Sequence, residues 1–332
     1  MHDDMPRTAR ITGMGGALPE RVLTNEDLER IVDTSDEWIA TRTGIRQRHM
    51  VADDEALSDL VVRAGAAALE DAGLEPGEID LFILATATPE QPIPATSAIV
   101  QPRLGLVNAA CFDLSAACSG FVYAVNVARQ FITTGEARRV LVVGAECLTR
   151  YVDWTDRTTC VLFGDGAGAI VLEPAEPGDG ILRTAWRTDG RYADLIQMPG
   201  GGCRFPPNRP ETLEARLPFI KMRGNETFKV AVRALTEISL GVLTEAGIEP
   251  GDLDLFIPHQ ANIRIIQAVG NRLGLPAEKV YINVDRVGNT SAASIPLAMI
   301  DAVRDGRLKR GDLALATAFG GGLTWASMLF RF

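Results

Sequence analysis

The chain has 332 residues, 46% of them hydrophobic and 23% charged, and carries a formal net charge of −10. This is the composition of a globular protein with a sizeable core, in one large or two ordinary domains. The acidic balance argues against nucleic acid as a partner. No apolar run approaches the roughly 18 residues that would span a bilayer.

The N-terminus, Met1-His2-Asp3-Asp4, is acidic and carries no apolar stretch of the signal-peptide kind. The five cysteines, Cys111, Cys118, Cys147, Cys160 and Cys203, are odd in number and include no C-x-x-C pair. They fit a reducing cytoplasm better than a disulfide framework, and no metal site is expected.

In chain order, ALSDLVVRAGAAALEDAG (residues 56–73) has apolar residues at helical spacing and stops at Gly73. Pro76-Gly77 then turns the chain into an apolar strand, DLFI. A loop, a helix and a strand follow in FDLSAACSGFVYAVNVARQFITTGEARRVLVVGAE. FGDGAG at 163–168 superficially resembles a dinucleotide-binding loop. It lacks the G-x-G-x-x-G spacing and leads into strand-like AIVLE, so it is not read as one. PGGGCRFPPNRPETLEA at 199–215 reads as a long surface loop.

A second helix, FKVAVRALTEISLGVLTEAG, stops at Gly247 and is again followed by Pro-Gly and DLFI. Residues 72–83 (AGLEPGEIDLFI) and 246–257 (AGIEPGDLDLFI) are identical at nine of twelve positions. More faintly, NVDRVGNTSAASIPLAMIDAVRDGRLKRGDLALATAF repeats the loop–helix–strand order of the Cys118 region. The expectation is an α/β protein of two duplicated halves, 1–175 and 176–332, whose apolar strands are covered by helices on both faces.

The candidate chemistry is sparse. Of three histidines, His2 lies at a terminus and His49 follows a run of arginines as a surface residue. His259 comes directly after the second DLFI strand, where sites form in α/β sheets. Cys118 lies among small residues near a helix start, where the macrodipole and free N–H groups favour a thiolate. Taken alone, a cysteine in an apolar helix reads more readily as an inert small hydrophobe. Cys111, Cys147 and Cys160 keep that reading, and Cys203 reads as an exposed loop thiol. Asn289 in VGNTSAAS is either a helix cap or a donor to an oxyanion. Gly320-Gly321-Gly322 is either a tight turn or a row of exposed backbone donors.

TSDEWIATRTGIRQRH (34–49), FDLSAACSGFVYA (112–124), FGDGAGA (163–169), GNETFKVAV (224–232), PHQANIRII (258–266), GNTSAASIP (288–296) and FGGGLTWAS (319–327) together resemble the thiolase superfamily. The specific resemblance is to β-ketoacyl-acyl-carrier-protein synthase III. It implies a thiolase-like five-layered αβαβα fold, a homodimer, and decarboxylative condensation of an acyl-coenzyme A with malonyl-acyl carrier protein. No cofactor is expected beyond the coenzyme A thioester as substrate.

The resemblance makes Cys118 the acyl acceptor and His259 and Asn289 its partners, with an oxyanion hole from the backbone N–H groups of Cys118 and Gly321. Trp38 and Arg157 would flank the adenine of coenzyme A, with Thr34 and Arg42 nearby. Asn225, Phe228 and Asn262 would line the pantetheine tunnel. Gln260, Ala261, Asn262, Ile263 and Arg264 would meet the carrier protein, with Lys229 and Arg272. Ile93 would close the acyl pocket of the dimer partner. Basic residues from Arg216 to Arg233 offer an acidic carrier a docking patch.

This chain departs from the family at Thr158, at Asn271-Arg272 where two lysines are usual, and at Ile93 where Phe is common. A polyketide or signal-molecule condensing enzyme, an acyltransferase without condensation, and a silent acyl-binding homologue are the alternative readings. Thiolase itself is disfavoured because no cysteine follows Cys203.

Overall fold

The structure is a computed structural model that describes residues 8–332. His2 and the acidic terminal segment lie outside the described residues. The principal elements are β1 (Thr8–Ala17), α1 (Asp36–Thr43), α2 (Leu57–Ala72), β2 (Leu81–Ala85), α3 (Thr96–Leu104), β3 (Ala110–Leu114), α4 (Gly120–Thr134), β4 (Val140–Cys147) and β5 (Asp165–Ala175). They continue as β6 (Gly180–Thr188), α5 (Gly224–Ala246), β7 (Leu255–Pro258), α6 (Ile263–Arg272), α7 (Ser294–Arg304), β8 (Leu313–Gly320) and β9 (Thr324–Arg331).

Among the described residues two principal sheets result, ordered β1-β5-β4-β2-β3 and β6-β9-β8-β7, beside two short two-stranded ribbons, Val22–Thr24 with Gln47–His49 and Ile196–Gln197 with Lys221–Met222. In the first, β4, β2 and β3 are parallel and β1 and β5 antiparallel. The second repeats the pattern, with β7 and β8 parallel and the other pairings antiparallel. Its counterpart of β3 shrinks to one parallel bridge between Phe256 and Val280. The chain passes from one sheet to the other between Ala175 and Gly180.

The duplicated motif explains its own retention. Gly73 and Gly247 end α2 and α5 with φ of 66° and 69°, a left-handed torsion that costs glycine nothing. Pro76 and Pro250 then open one-turn 3₁₀ helices. The Glu78 and Asp252 carboxylates accept the backbone N–H of Glu75 and Glu249 at 2.9 and 3.1 Å. Each copy thus delivers its strand from the same capped turn.

The strands deal alternate side chains to opposite faces. On β4, Val140 and Val142 face inward to a central core, while Leu141, Val143, Ala145 and Cys147 face an outer one. On β8, Ala314, Ala316 and Ala318 face the central core and Leu313, Leu315 and Phe319 the other outer one. The central core holds α4 and α7, and the outer cores hold α2 with α3 and α5 with α6. The layers therefore run helix, sheet, helix, sheet, helix, as a thiolase-like fold requires. Each fully buried valine or leucine contributes about 1.5–3 kcal/mol. The segment 199–215 is a surface loop that also contains a short helix, Pro210–Glu214.

Candidate active site

The loops at the carboxyl ends of β3 and β7 and the segment before α7 converge. After β3 the chain does not enter α4 directly. Ala117 takes φ of 47°, Ala117–Ser119 form a 3₁₀ turn carrying Cys118, and α4 starts only at Gly120. The helix proper thus begins only after Cys118. Ser119 Oγ donates to Thr324 O at 3.0 Å, and Thr324 Oγ1 donates to Ala116 O at 2.9 Å, tying the turn to β9. Gly320, at the end of β8, presses against it. A Cβ there would lie 2.5 Å from Cys118 N.

His259 follows β7 and donates its backbone N–H to Thr317 O at 2.8 Å. Its Nδ1 lies 2.5 Å from Ser294 Oγ, which leaves Nε2 as the ring nitrogen free for the cavity. Asn289 is held by its backbone, donating to Leu162 O at 2.9 Å and accepting from Gly164 N at 3.0 Å. Its Oδ1 accepts the Ser291 N–H at 2.9 Å, so its amide N–H groups remain as donors. Behind this loop, buried Arg48 packs its Cβ near Gly164 and Gly288 and donates to Leu23 O, Asn25 Oδ1 and Val161 O.

Electrostatics correct one expectation. Burial pushes the Cys118 thiol up to about 12, against the opposing pull of a hydrogen bond from Ser291. Desolvation therefore outweighs the helix-end effect that favoured a thiolate. Burial also draws His259 down to about 4, so its imidazole is neutral at pH 7. Glu146 on β4, wholly buried, is pushed up to about 7 by the same cause.

Cys118, His259, Asn289 and Phe319 line one cavity of about 730 Å³. Val161, Leu162, Phe163, Ile196, Met222 and Leu235 supply apolar walls. Trp38, Arg42, Asn225, Phe228, Lys229, Ala261, Asn262 and Arg264 line the same space, with Arg42, Asn225, Lys229 and Arg264 exposed. Arg42 and Arg157 both stack on Trp38, their guanidinium carbons 4.6 and 5.1 Å from its ring centroid. Arg157 donates to Asp33 O at 2.9 Å, and Thr34 lies beside it in sequence, half-buried.

Other residues stand elsewhere. Gln260 is fully buried, and its amide serves Pro258 O, Tyr281 O, Asn283 N and Val284 N. It cannot meet a carrier protein, and that expectation is corrected. Ile263 packs against Gly44, and Arg272 is exposed at the far end of α6, about 12 Å along the axis from Arg264. Gly321 follows β8 beside the Cys118 turn, and Ile93 is 86% exposed. His49 is half-buried rather than a surface residue, its Nδ1 2.7 Å from Pro19 O. In the basic segment, Arg216 pairs with Asp153 and Arg223 with Asp194, which weakens the patch. The sequence reading passed over Ser291, Ser294 and Glu146. A lone carboxylate inside the apolar run LVVGAEC was the available signal for the last.

Residues 112–190 match the family model of 3-oxoacyl-[acyl-carrier-protein] synthase III, and residues 243–332 that of its C-terminal region. A curated β-ketoacyl-[acyl-carrier-protein] synthase III of Roseiflexus sp. is 53% identical over 327 residues, 98% of this chain and 99% of that protein. The chain belongs to the β-ketoacyl-acyl-carrier-protein synthase III family. The family's solved 3-oxoacyl-[acyl-carrier-protein] synthase III from Aquifex aeolicus superposes with a TM-score of 0.91 at 48% identity, over 98% of this chain and all of that one. A priming β-ketosynthase of a polyketide biosynthetic pathway gives 0.91 at 37% identity, over all of this chain and 98% of that one.

Proposed function

We propose that this synthase III family member joins an acyl-coenzyme A primer to malonyl-acyl carrier protein, releasing coenzyme A and CO2, as the initiating step of fatty acid synthesis. The observation that carries this reading is the meeting of Cys118, His259 and Asn289 in one cavity.

Cys118 Sγ attacks the thioester carbonyl, and the coenzyme A thiolate departs. The N–H groups of Cys118 and Gly321 receive the oxyanion, the first held in place by the close approach of Gly320. Malonyl-carrier protein then loses CO2 and leaves an enolate. The neutral His259 and the Asn289 amide, whose oxygen is occupied by Ser291, present N–H donors to it. The enolate carbon attacks acyl-Cys118, and the thiolate leaves. Trp38, Arg42, Arg157 and Thr34 form the nucleotide end of the coenzyme A path, with Asn225, Phe228 and Asn262 along its tunnel.

Lys229, Arg264 and the neighbouring Ala261 and Asn262 face an acidic carrier protein at the mouth. The enzyme works as a cytoplasmic homodimer. The half-exposed edge strand β3, together with exposed Val107 and Ile93, supplies an apolar face for the second copy. A second reading, priming in polyketide synthesis, shares every step and is supported by the structural similarity to the polyketide priming ketosynthase. Incubating the enzyme with malonyl-carrier protein and acetyl- to octanoyl-coenzyme A, and weighing the carrier, tests both. A β-ketoacyl carrier from short primers supports the first reading, a preference for the longer primers the second, and no condensed carrier with any primer rejects both.

A further inference from the structure

The duplication places two equivalent turns in the molecule. Ala117–Ser119 leads into α4 and Ser291–Ala293 into α7, and residues 117 and 291 stand the same 174 positions apart as the repeated motifs at 72 and 246. Both turns are closed by the same backbone bond, Ser119 N to Ala116 O at 3.1 Å and Ala293 N to Thr290 O at 3.0 Å. Both open on a non-glycine residue in the left-handed region, Ala117 with φ of 47° and Ser291 with φ of 48°. Such a residue is strained and persists only where its surroundings hold it.

What holds them differs. In the first half the ties run from Ser119 and Ala116 to Thr324. At the matching positions of the second half, Ala293 has no hydroxyl, and the Thr290 hydroxyl is buried without a hydrogen-bond partner. The tie there is Ser291 itself, whose Oγ donates to Glu146 Oε1 at 3.0 Å. Glu146 is wholly buried on β4 and anchored in the first half. Its Oε2 accepts from Thr88 Oγ1 at 2.7 Å, Ala87 N at 3.1 Å and Thr86 Oγ1 at 3.3 Å. Gly144, on the same face of β4, lets the second turn come close, since a Cβ there would lie 2.3 Å from Ala292 O. Glu146 therefore spans from the segment after β2 to the turn before α7. Ser291 passes the anchorage on. Its backbone N–H donates to Asn289 Oδ1 at 2.9 Å, the one hydrogen bond of that side chain among the described residues. A Ser291 relaxed to the right-handed region would turn this N–H away, and the Asn289 amide could then flip its oxygen toward the cavity.

Resting on the reading of Asn289 as a donor to the enolate, we infer that Glu146 is a positioning residue for the condensation step. Through the Ser291 hydroxyl it holds the 291–293 turn in its left-handed form, and the turn fixes the Asn289 amide with its N–H groups toward the enolate. Glu146 touches no reacting atom and moves no proton in this role. It supplies a fixed acceptor, which lets one strained residue orient another residue's donor before the charge develops.

The test is single-turnover condensation. Enzyme acetylated beforehand with acetyl-coenzyme A, so that any effect of Ser291 on the Cys118 thiol is set aside, is mixed with malonyl-carrier protein, quenched, and the carrier weighed. Asn289→Ala gives the reference loss, about 100-fold for one missing donor. Glu146→Asp keeps the charge but is one carbon too short to span from Ala87 to Ser291, and is at least about tenfold slower. Ser291→Ala is slowed alike. Ser291→Gly, for which the left-handed torsion costs nothing, stays within about threefold of wild type, the reverse of the order that lost packing would give. Once Asn289 is alanine, Glu146→Asp adds less than about a further twofold, because both act through one amide. Should Glu146→Asp fail to fold, the two Ser291 variants decide, since Ala117 holds the same torsion at the matching position. Glu146→Asp and Ser291→Ala both within about twofold of wild type while Asn289→Ala is slow, or glycine no faster than alanine at 291, overturns the inference alone. Asn289→Ala condensing at the wild-type rate removes instead the reading of Asn289 as enolate donor.

Discussion

Ser294 Oγ lies 2.5 Å from His259 Nδ1 and also receives the Gln260 N–H at 3.4 Å. With the Gln260 amide as donor, the serine hydrogen turns to Nδ1, and the imidazole carries its own proton on Nε2. The ring is thus presented as a donor to an enolate rather than as a base. Ser294→Ala frees the ring to rotate and change tautomer. Condensation with malonyl-carrier protein should fall about tenfold or more, while acylation of Cys118 changes less than about threefold. Separate assays of the two half-reactions check this, and equal losses in both would contradict it.

Gly320→Ala places a methyl 2.5 Å from Cys118 N. Backbone must move, and with it both nucleophile and oxyanion donor. Acylation should drop about 100-fold, the scale of an ångström-sized misplacement, with the protein still folded by circular dichroism. Retention of near-normal acylation would show that Gly320 does not set the Cys118 turn.

Gln260 and Arg264 are close in sequence and opposite in consequence. Gln260→Ala removes a buried amide that satisfies four backbone groups, and should cost about 2–3 kcal/mol of stability with no selective change in carrier KM. Arg264→Glu, exposed at the mouth, should leave stability and acyl-coenzyme A turnover unchanged and raise the carrier KM about tenfold at low salt. Thermal melts and KM values for both substrates separate the two.

Much of this was legible before any coordinates. The AG-x-EPG-x-x-DLFI repeat announced two copies of one capped turn, and the structure has both. Cys118, His259 and Asn289 stood out by residue type and by place after a strand or before a helix. Three things were hidden. The thiol's environment depends on long-range burial, which local helix position does not report. Gln260 lies within a motif that reads as surface, yet its amide turns inward to residues more than twenty positions away. Glu146 and Ser291 meet across 145 positions of chain, a pairing no local pattern encodes.

Stability should respond to acid through the same groups. His259 is held near 4, below its ordinary 6.5, so the folded form loses stability as pH falls through that interval. Glu146 is raised from 4.5 to about 7, so it works in reverse, its contribution being lost as pH rises toward 7. Between about pH 4.5 and 6.5 the two slopes oppose each other in the wild type. Glu146→Gln removes one of them. Its unfolding free energy should fall with acid more steeply than that of the wild type, by about 1 kcal/mol per pH unit. Urea titrations across this interval measure it, and parallel curves for the two proteins would contradict the burial argument.

The most direct measurement is peptide mapping by mass spectrometry after exposure to a panel of acyl-coenzyme A esters. An acyl group on Cys118, absent in Cys118→Ser and discharged by malonyl-carrier protein, is the predicted result. An acyl group on Cys111, Cys147, Cys160 or Cys203 instead, or on no cysteine with any ester, would contradict it.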